Sequence, residues 1–267
     1  MKKISVIMGI YNCADTLDEA IKSILSQTYI NWELIMCDDA STDGSYEIAQ
    51  KYVNKYPDRV KLIRNITNQG LNITLNNCLE VVTGEYVARM DGDDISLPER
   101  LEREARFLDD HDEFAFVSCP MIYFDKDGDF AVGRAKEKTV AKDLLKGGVF
   151  CHAPCMIRKD VYEEVEGYTV DKRLLRVEDF NLWHKIYAKG YKGYNLQEPL
   201  YKMRDDKKAL KRRTLRSRLN GTYAVYIGYK LLDLPWYYIV YVAKDFIMNI
   251  IKTVIPISVY SYFHRKK

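Results

Sequence analysis

The chain has 267 residues, 47% of them hydrophobic and 30% charged, which excludes a disordered or low-complexity polymer and allows one large domain or a domain with an appendage. Its net charge of +3 hides an asymmetry: residues 205–267 hold thirteen Lys or Arg against four Asp, or +9, so residues 1–204 carry −6. An acidic body with a basic tail directs the tail towards phosphate-bearing surfaces, anionic lipid or nucleic acid, and charge alone does not choose between them.

The opening Met1-Lys2-Lys3 precedes an apolar stretch too short for a signal peptide before Asn12 and Asp15, so it reads as the start of a first strand. From residue 4 to about 94, β-branched runs at Ile4–Met8, Trp32–Cys37, Val60–Ile63 and Glu85–Met90 alternate with helical patterns, which predicts a parallel sheet. Leu17, Ala20, Ile21, Ile24 and Leu25 recur at helical spacing behind Asp15, read as an N-cap, with Asp18 at the third helical position. A second helix follows Asp43-Gly44-Ser45 and stops at Pro57, and a third runs through Leu71, Leu75, Leu79 and Val82 to Gly84. A charged amphipathic helix is predicted from Leu101 to about His111, then one strand over Phe114–Phe124, closed by the turn Asp125-Lys126-Asp127-Gly128-Asp129. That turn lacks the oxygen ladder and terminal Glu of a calcium loop and is expected to be a solvated hairpin. Six cysteines without a CxxC pair fit a reduced compartment, and Cys151-His152-Ala153-Pro154-Cys155 lacks the second ligand pair of a zinc site.

Open α/β sheets bind ligands beyond the carboxyl ends of their strands. Here those ends are Gly9-Ile10-Tyr11-Asn12, Asp38-Asp39-Ala40-Ser41 and Asp91-Gly92-Asp93-Asp94. Single loops of this kind are ordinary turn chemistry. Three acidic or polar loops on one edge, one of them with three carboxylates in four positions, call for a cation or a set of donors to offset the repulsion.

These segments resemble glycosyltransferase family 2. The likeness is carried, in order, by Ser5–Asn12, Ile24-Leu25-Ser26-Gln27-Thr28, Cys37–Asp43, Asn68-Gln69-Gly70 with Asn76, Thr83–Tyr86, the DxD pair Asp91 and Asp93, and Val177-Glu178-Asp179 with Leu182-Trp183; it spans roughly residues 4–204. Position 9 departs from the family pattern, being Gly where many members have Thr. The resemblance implies a GT-A (Rossmann-like) α/β fold, a mostly parallel sheet flanked by helices. It also implies an inverting hexosyl- or N-acetylhexosaminyl-transferase using a nucleotide-sugar donor, most readily a UDP-sugar. Residues 1–204 would form the catalytic domain, with the donor bound mainly by 1–100 and the acceptor mainly by 101–204. Asp91 and Asp93 would hold Mn²⁺ or Mg²⁺, with Asp91 also reaching the ribose. Asp39 would accept a hydrogen bond from the base, Tyr11 would stack on it, and Gly9 and Asn68 would complete the donor site. Asp179 would serve as general base, and His152, Glu178 and Trp183 would line the acceptor side. Asp94 is expected to cap the helix that follows.

Beyond Arg204 the sequence turns to the basic stretch Lys207–Arg213, then to residues 222–263, rich in Tyr, Ile and Val but interrupted by charges, so that no uncharged run reaches the ~18 residues of a spanning helix. A C-terminal helical extension lying on the anionic inner face of the cell membrane is expected, with a lipid-linked acceptor and a cytoplasmic, peripheral location; a helical cap or an oligomer interface on the catalytic domain is the competing reading. The sequence leaves two other functions less well supported. A metal-dependent nucleotidyltransferase would want a Gly-rich basic phosphate loop near the first strand, and none is present. A nucleic-acid-binding protein would leave the acidic loops unexplained.

Overall fold

The computed structural model of the chain describes residues 1–205 and 215–254. Strands β1 (Ile4–Ile10), β2 (Trp32–Asp38), β3 (Val60–Arg64) and β4 (Tyr86–Asp91) pair in parallel in the order β4-β1-β2-β3. They are joined by helices α1 (Ala14–Leu25), α2 (Ser45–Lys55) and α3 (Leu71–Leu79). Side chains alternate across the sheet: Ile4, Val6 and Met8 pack with Leu17 and Ile21 of α1 on one face, while Ile7 and Ile35 pack with Leu75 and Cys78 of α3 on the other. With both faces covered, β1 and β2 are apolar almost throughout, as a buried parallel strand requires.

After β4 come β5 (Ile95–Ser96), α4 (Arg100–Asp110), β6 (Phe116–Ser118), β7 (Met121–Asp125), β8 (Gly128–Val132), β9 (Met156–Arg158), α5 (Lys159–Glu164), α6 (Glu178–Ala188), β10 (Gly193–Asn195) and β11 (Tyr201–Arg204). The large sheet is completed in the order β10-β6-β9-β4-β1-β2-β3, with β9 antiparallel to both its neighbours. A second, smaller sheet has the order β5-β11-β7-β8. The α/β architecture, a mainly parallel sheet flanked by helices, is the one the sequence led us to expect.

Three local expectations are corrected. The single strand over Phe114–Phe124 is two strands, β6 and β7, in different sheets; Pro120 between them has no N–H to give a ladder, so pairing ends there and the chain changes sheet. Asp15 lies in the first turn of α1 and Cys13 occupies the N-cap, while the amides of Cys13 and Ala14 are met by Ser45 Oγ (2.9 Å), at the first residue of α2, and Asp43 Oδ2 (3.1 Å), in the loop before it. Asp18, displaced from the first turn, pairs with Lys22 and Tyr52. Asp94 caps no helix: it is buried and accepts the backbone N–H of Arg204 (2.8 Å). The acidic turn after β7 is a hairpin, joining β7 to β8.

The C-terminal helices α7 (Leu215–Leu231) and α8 (Ile239–Val254) form a hairpin. Helix α7 packs on α6 at Gly228, where an added Cβ would stand 2.3 Å from the buried His184 ring. Of the expected tail, Lys207–Arg213 and residues 255–263 lie outside the described residues. Among those described, no helix is long and apolar enough to cross a membrane.

Candidate active site

Parallel register brings the three loops together. Gly9 is opposite both Cys37 of β2 and Asp91 of β4, and Ile10 is opposite Asp38, so the strands end on one line. Asp38 is fully buried against Arg64 Nε (3.2 Å) and serves the sheet. Asp39 is also buried: Oδ1 accepts from Asn65 Nδ2 and the Gln69 amide (both 2.8 Å), and Oδ2 accepts from the Gly70 amide (2.9 Å). A carboxylate offers about four acceptor positions, so Oδ2 keeps room for one more donor. Asp39 thus fixes the loop before α3, in which Gly70 adopts φ 88° and Asn68 is exposed. Gly9 packs closely under α3, where an added Cβ would stand 2.9 Å from Leu71 Cδ1, the movable end of that side chain. Tyr11 is 50% exposed, its ring open to solvent. Asn12, Ala40 and Arg176 have φ of 48°, 58° and 67°, conformations that cost about 1 kcal/mol or more outside glycine and gather at functional loops.

The loop Asp91–Asp94 is held from several directions. Thr16 Oγ1 donates to the Gly92 carbonyl (2.9 Å), Arg204 Nε donates to the Asp93 carbonyl (3.0 Å), and the Asp91 amide donates to the Tyr201 hydroxyl (3.1 Å). Asp91 Oδ1 lies 2.6 Å from Nη2 of Arg89, a buried guanidinium two residues earlier on β4. Burial, reinforced by Asp91 and Asp93, pushes the Asp94 carboxyl well above the usual carboxylate range. Hard carboxylate oxygens with surplus negative potential suit Mg²⁺ or Mn²⁺. Among the described residues no group of three His, Cys, Asp or Glu side chains is assembled for a metal. Asp91 and Asp93 could supply two carboxylates to an ion that takes its other ligands from substrate phosphate oxygens and water.

Glu178 and Asp179 form the first turn of α6. Asp179 stays partly open to solvent at the helix end but is closely hemmed by protein; that burial, with Glu178 beside it, raises its carboxyl to about 7, and Arg89 holds it down. Burial likewise raises Glu178, again opposed by Arg89. Trp183 does not line an acceptor surface: it is 1% exposed and stacks on Phe116 at 4.5 Å, a core residue. His152 is buried too, its Nε2 2.8 Å from the Tyr168 hydroxyl, and burial followed by the charge of Arg89 keeps it neutral.

Several residues of the site escaped sequence reasoning. Arg89 acts on Asp91, Glu178, Asp179 and His152 at once, yet it appears in the sequence as an isolated charge in an apolar strand. Tyr201 and Arg204, which brace the acidic loop, come from β11, far along the chain. Lys172, Arg176 and Arg216 line a cleft of about 420 Å³ together with Gln69 and Asn72, a cationic wall beside the Asp39-anchored loop.

Comparison with known proteins agrees with this geometry. Residues 5–166 match the profile of Glycosyl transferase family 2. The chain is 44% identical to EpsE of Bacillus subtilis (strain 168), a protein named as a glycosyltransferase, over 99% of this chain and 94% of that protein. It is 32% identical, over 73% of this chain and 74% of the relative, to WfaP of Escherichia coli, named as UDP-Glc:alpha-D-GlcNAc-diphosphoundecaprenol beta-1,3-glucosyltransferase. The fold superposes on S. aureus TarS 1-349 with a TM-score of 0.71 at 21% identity (92% of this chain, 71% of that one). It also superposes on the mannosyltransferase PcManGT of Pyrobaculum calidifontis, solved with GDP-Man and Mn²⁺, at 0.66 and 16% (98% and 79%). The profile match over most of the chain, with relatives at this level of identity, makes the protein a member of glycosyltransferase family 2, a glycosyltransferase on the GT-A fold.

Proposed function

We propose that the protein transfers a sugar from a UDP-sugar, with inversion, to a glycan carried on a membrane lipid during surface polysaccharide synthesis. The observation that carries this reading is Asp179: a carboxyl raised to about 7 at the start of α6, within the electrostatic reach of the same Arg89 that holds Asp91. An Asp179 carboxylate oxygen takes the proton of the acceptor hydroxyl as the hydroxyl oxygen bonds to the anomeric carbon, and the electron pair of the breaking C–O bond departs with the diphosphate. With one base and no enzyme nucleophile, the displacement is direct and inverts the centre. A divalent cation held by Asp91 and Asp93, when bound, neutralises the charge gathering on the leaving diphosphate. Tyr11 stacks on the base, the spare acceptor of Asp39 Oδ2 receives its N–H, and Gly9 and Asn68 border the donor. Glu178 lies at the acceptor side.

The donor assignment is supported by WfaP, named for UDP-Glc, and by TarS, solved in complex with UDP and with UDP-GlcNAc. WfaP is also named for a diphosphoundecaprenol acceptor, and the +9 charge of residues 205–267 favours a peripheral place on the inner face of the cell membrane, where such carriers are presented. The reading is tested by a nucleotide-sugar screen for transfer or hydrolysis with and without EDTA, run alongside calorimetry of UDP with Mn²⁺. UDP-sugars should lead, EDTA should suppress turnover, and Asp91→Ala/Asp93→Ala should abolish the Mn²⁺-assisted part of UDP binding. Manganese-assisted UDP binding unchanged in that double variant would refute it.

A further inference from the structure

Two polar side chains of helix α8, Asp245 and Asn249, turn towards α7: Thr222 Oγ1 donates to Asp245 Oδ2 (2.7 Å), and Asn249 Nδ2, buried, reaches the same oxygen (2.7 Å) and the Arg218 carbonyl (3.2 Å). The outward face of α8 is apolar, with Val240, Ile247, Ile250 and Ile251 exposed, while Phe246 lines the groove against α7. The turn that leads into it presents Trp236, 80% exposed, and Tyr237. A helix in water normally hides such a stripe.

We propose that this face of α8, with Trp236 and Tyr237, lies in the headgroup region of an anionic bilayer. Trp and Tyr favour that zone, where the ring is buried and the polar atom stays wet. The exposed charges beside the face, Lys230 and Lys244, are basic, Asp245 is turned inward, and Asp233 is the one exposed acid from 215 to 253. An anionic surface attracts the +9 tail and repels the −6 body, which orients the protein, whereas a second copy would set +9 against +9. Helix α8 rests on α7 and α7 on α6, whose first turn carries Asp179, so docking would hold the candidate base near the lipid surface. That last consequence rests on the lipid-linked acceptor proposed above; the docking itself does not.

The full chain supplies its own reporter, because Trp32 and Trp183 are buried and Trp236 is not. Vesicles of phosphatidylglycerol and phosphatidylcholine should shift the tryptophan emission to the blue, and Trp236→Phe should remove the shift. Phosphatidylcholine alone should give a much weaker response. In co-sedimentation, Ile247→Glu/Ile251→Glu should lower the bound fraction at least about tenfold with its melting temperature retained. Unshifted wild-type emission with phosphatidylglycerol overturns the proposal without needing any variant, as does undiminished sedimentation of the double variant. A concentration-dependent dimer dissolved by that substitution, with no vesicle binding, would assign the face to a second copy instead. UDP-sugar hydrolysis without vesicles reads the catalytic assignment separately, and its retention would show that only the docking had failed.

Discussion

An acid that titrates close to neutrality is suited to taking a proton from a hydroxyl at neutral pH, because enough of it is ionised and the ionised form is still basic. Asp179 is placed there by burial and by Glu178, with Arg89 opposing them. As the carboxylate is the working form, kcat/KM should rise with pH through about 7 and level off above it. Asp179→Asn should lower kcat by about a thousandfold while leaving UDP affinity nearly unchanged, measured by turnover and calorimetry. Arg89→Met removes the cation that favours the charged form of Asp179, so the acidic limb of the profile should move to higher pH and donor binding should weaken through the disordering of Asp91. A purely structural role for Arg89 would lower activity without moving the limb. The acids were legible in the sequence because each sits in a short motif at a strand or helix end. Arg89 was not, because its partners come from other elements and nothing in an apolar strand shows which face a lone cation meets.

Among the elements, the helices and the four parallel strands followed from periodicity, since the alternation of faces along β1 and β2 and the stripe of α1 leave little choice of partner. What periodicity did not show was where the chain leaves one sheet for another. Apolar residues run on through Pro120 with no change of pattern, and only the missing N–H marks the boundary. The start of α1 was misplaced for a similar reason: the amides there are satisfied by Asp43 and Ser45, which lie at the entry to α2. The α6–α7 contact was invisible in the sequence, as it depends on the lack of a side chain at Gly228 over a buried His184. Gly228→Val should push α7 away from α6 and destabilise the protein by about 1–3 kcal/mol, read as a lowered thermal midpoint and as faster proteolysis of residues 215–254.

Across the whole molecule, one buried acid makes stability depend on pH. Glu104 lies inside α4 with no hydrogen-bond partner for either oxygen among the described residues, and burial raises it from 4.5 to about 8, against the opposing charge of Arg100. The folded chain prefers the neutral acid and the unfolded chain the carboxylate. Stability from this group is therefore full below about 4.5 and declines as pH climbs through about 8. Glu104→Gln should flatten that decline and raise stability at pH 8 by on the order of 2 kcal/mol, checked by urea unfolding at pH 5 and pH 8. The antiparallel β9 also sets an order of events during synthesis. β1 to β4 are complete once residue 91 has left the ribosome, but the outer edge of β4 stays uncovered until Met156–Arg158 emerge to pair with it. For that interval a nascent chain exposes a row of unsatisfied backbone donors and acceptors, the point at which slow elongation would invite misassembly with a neighbouring chain.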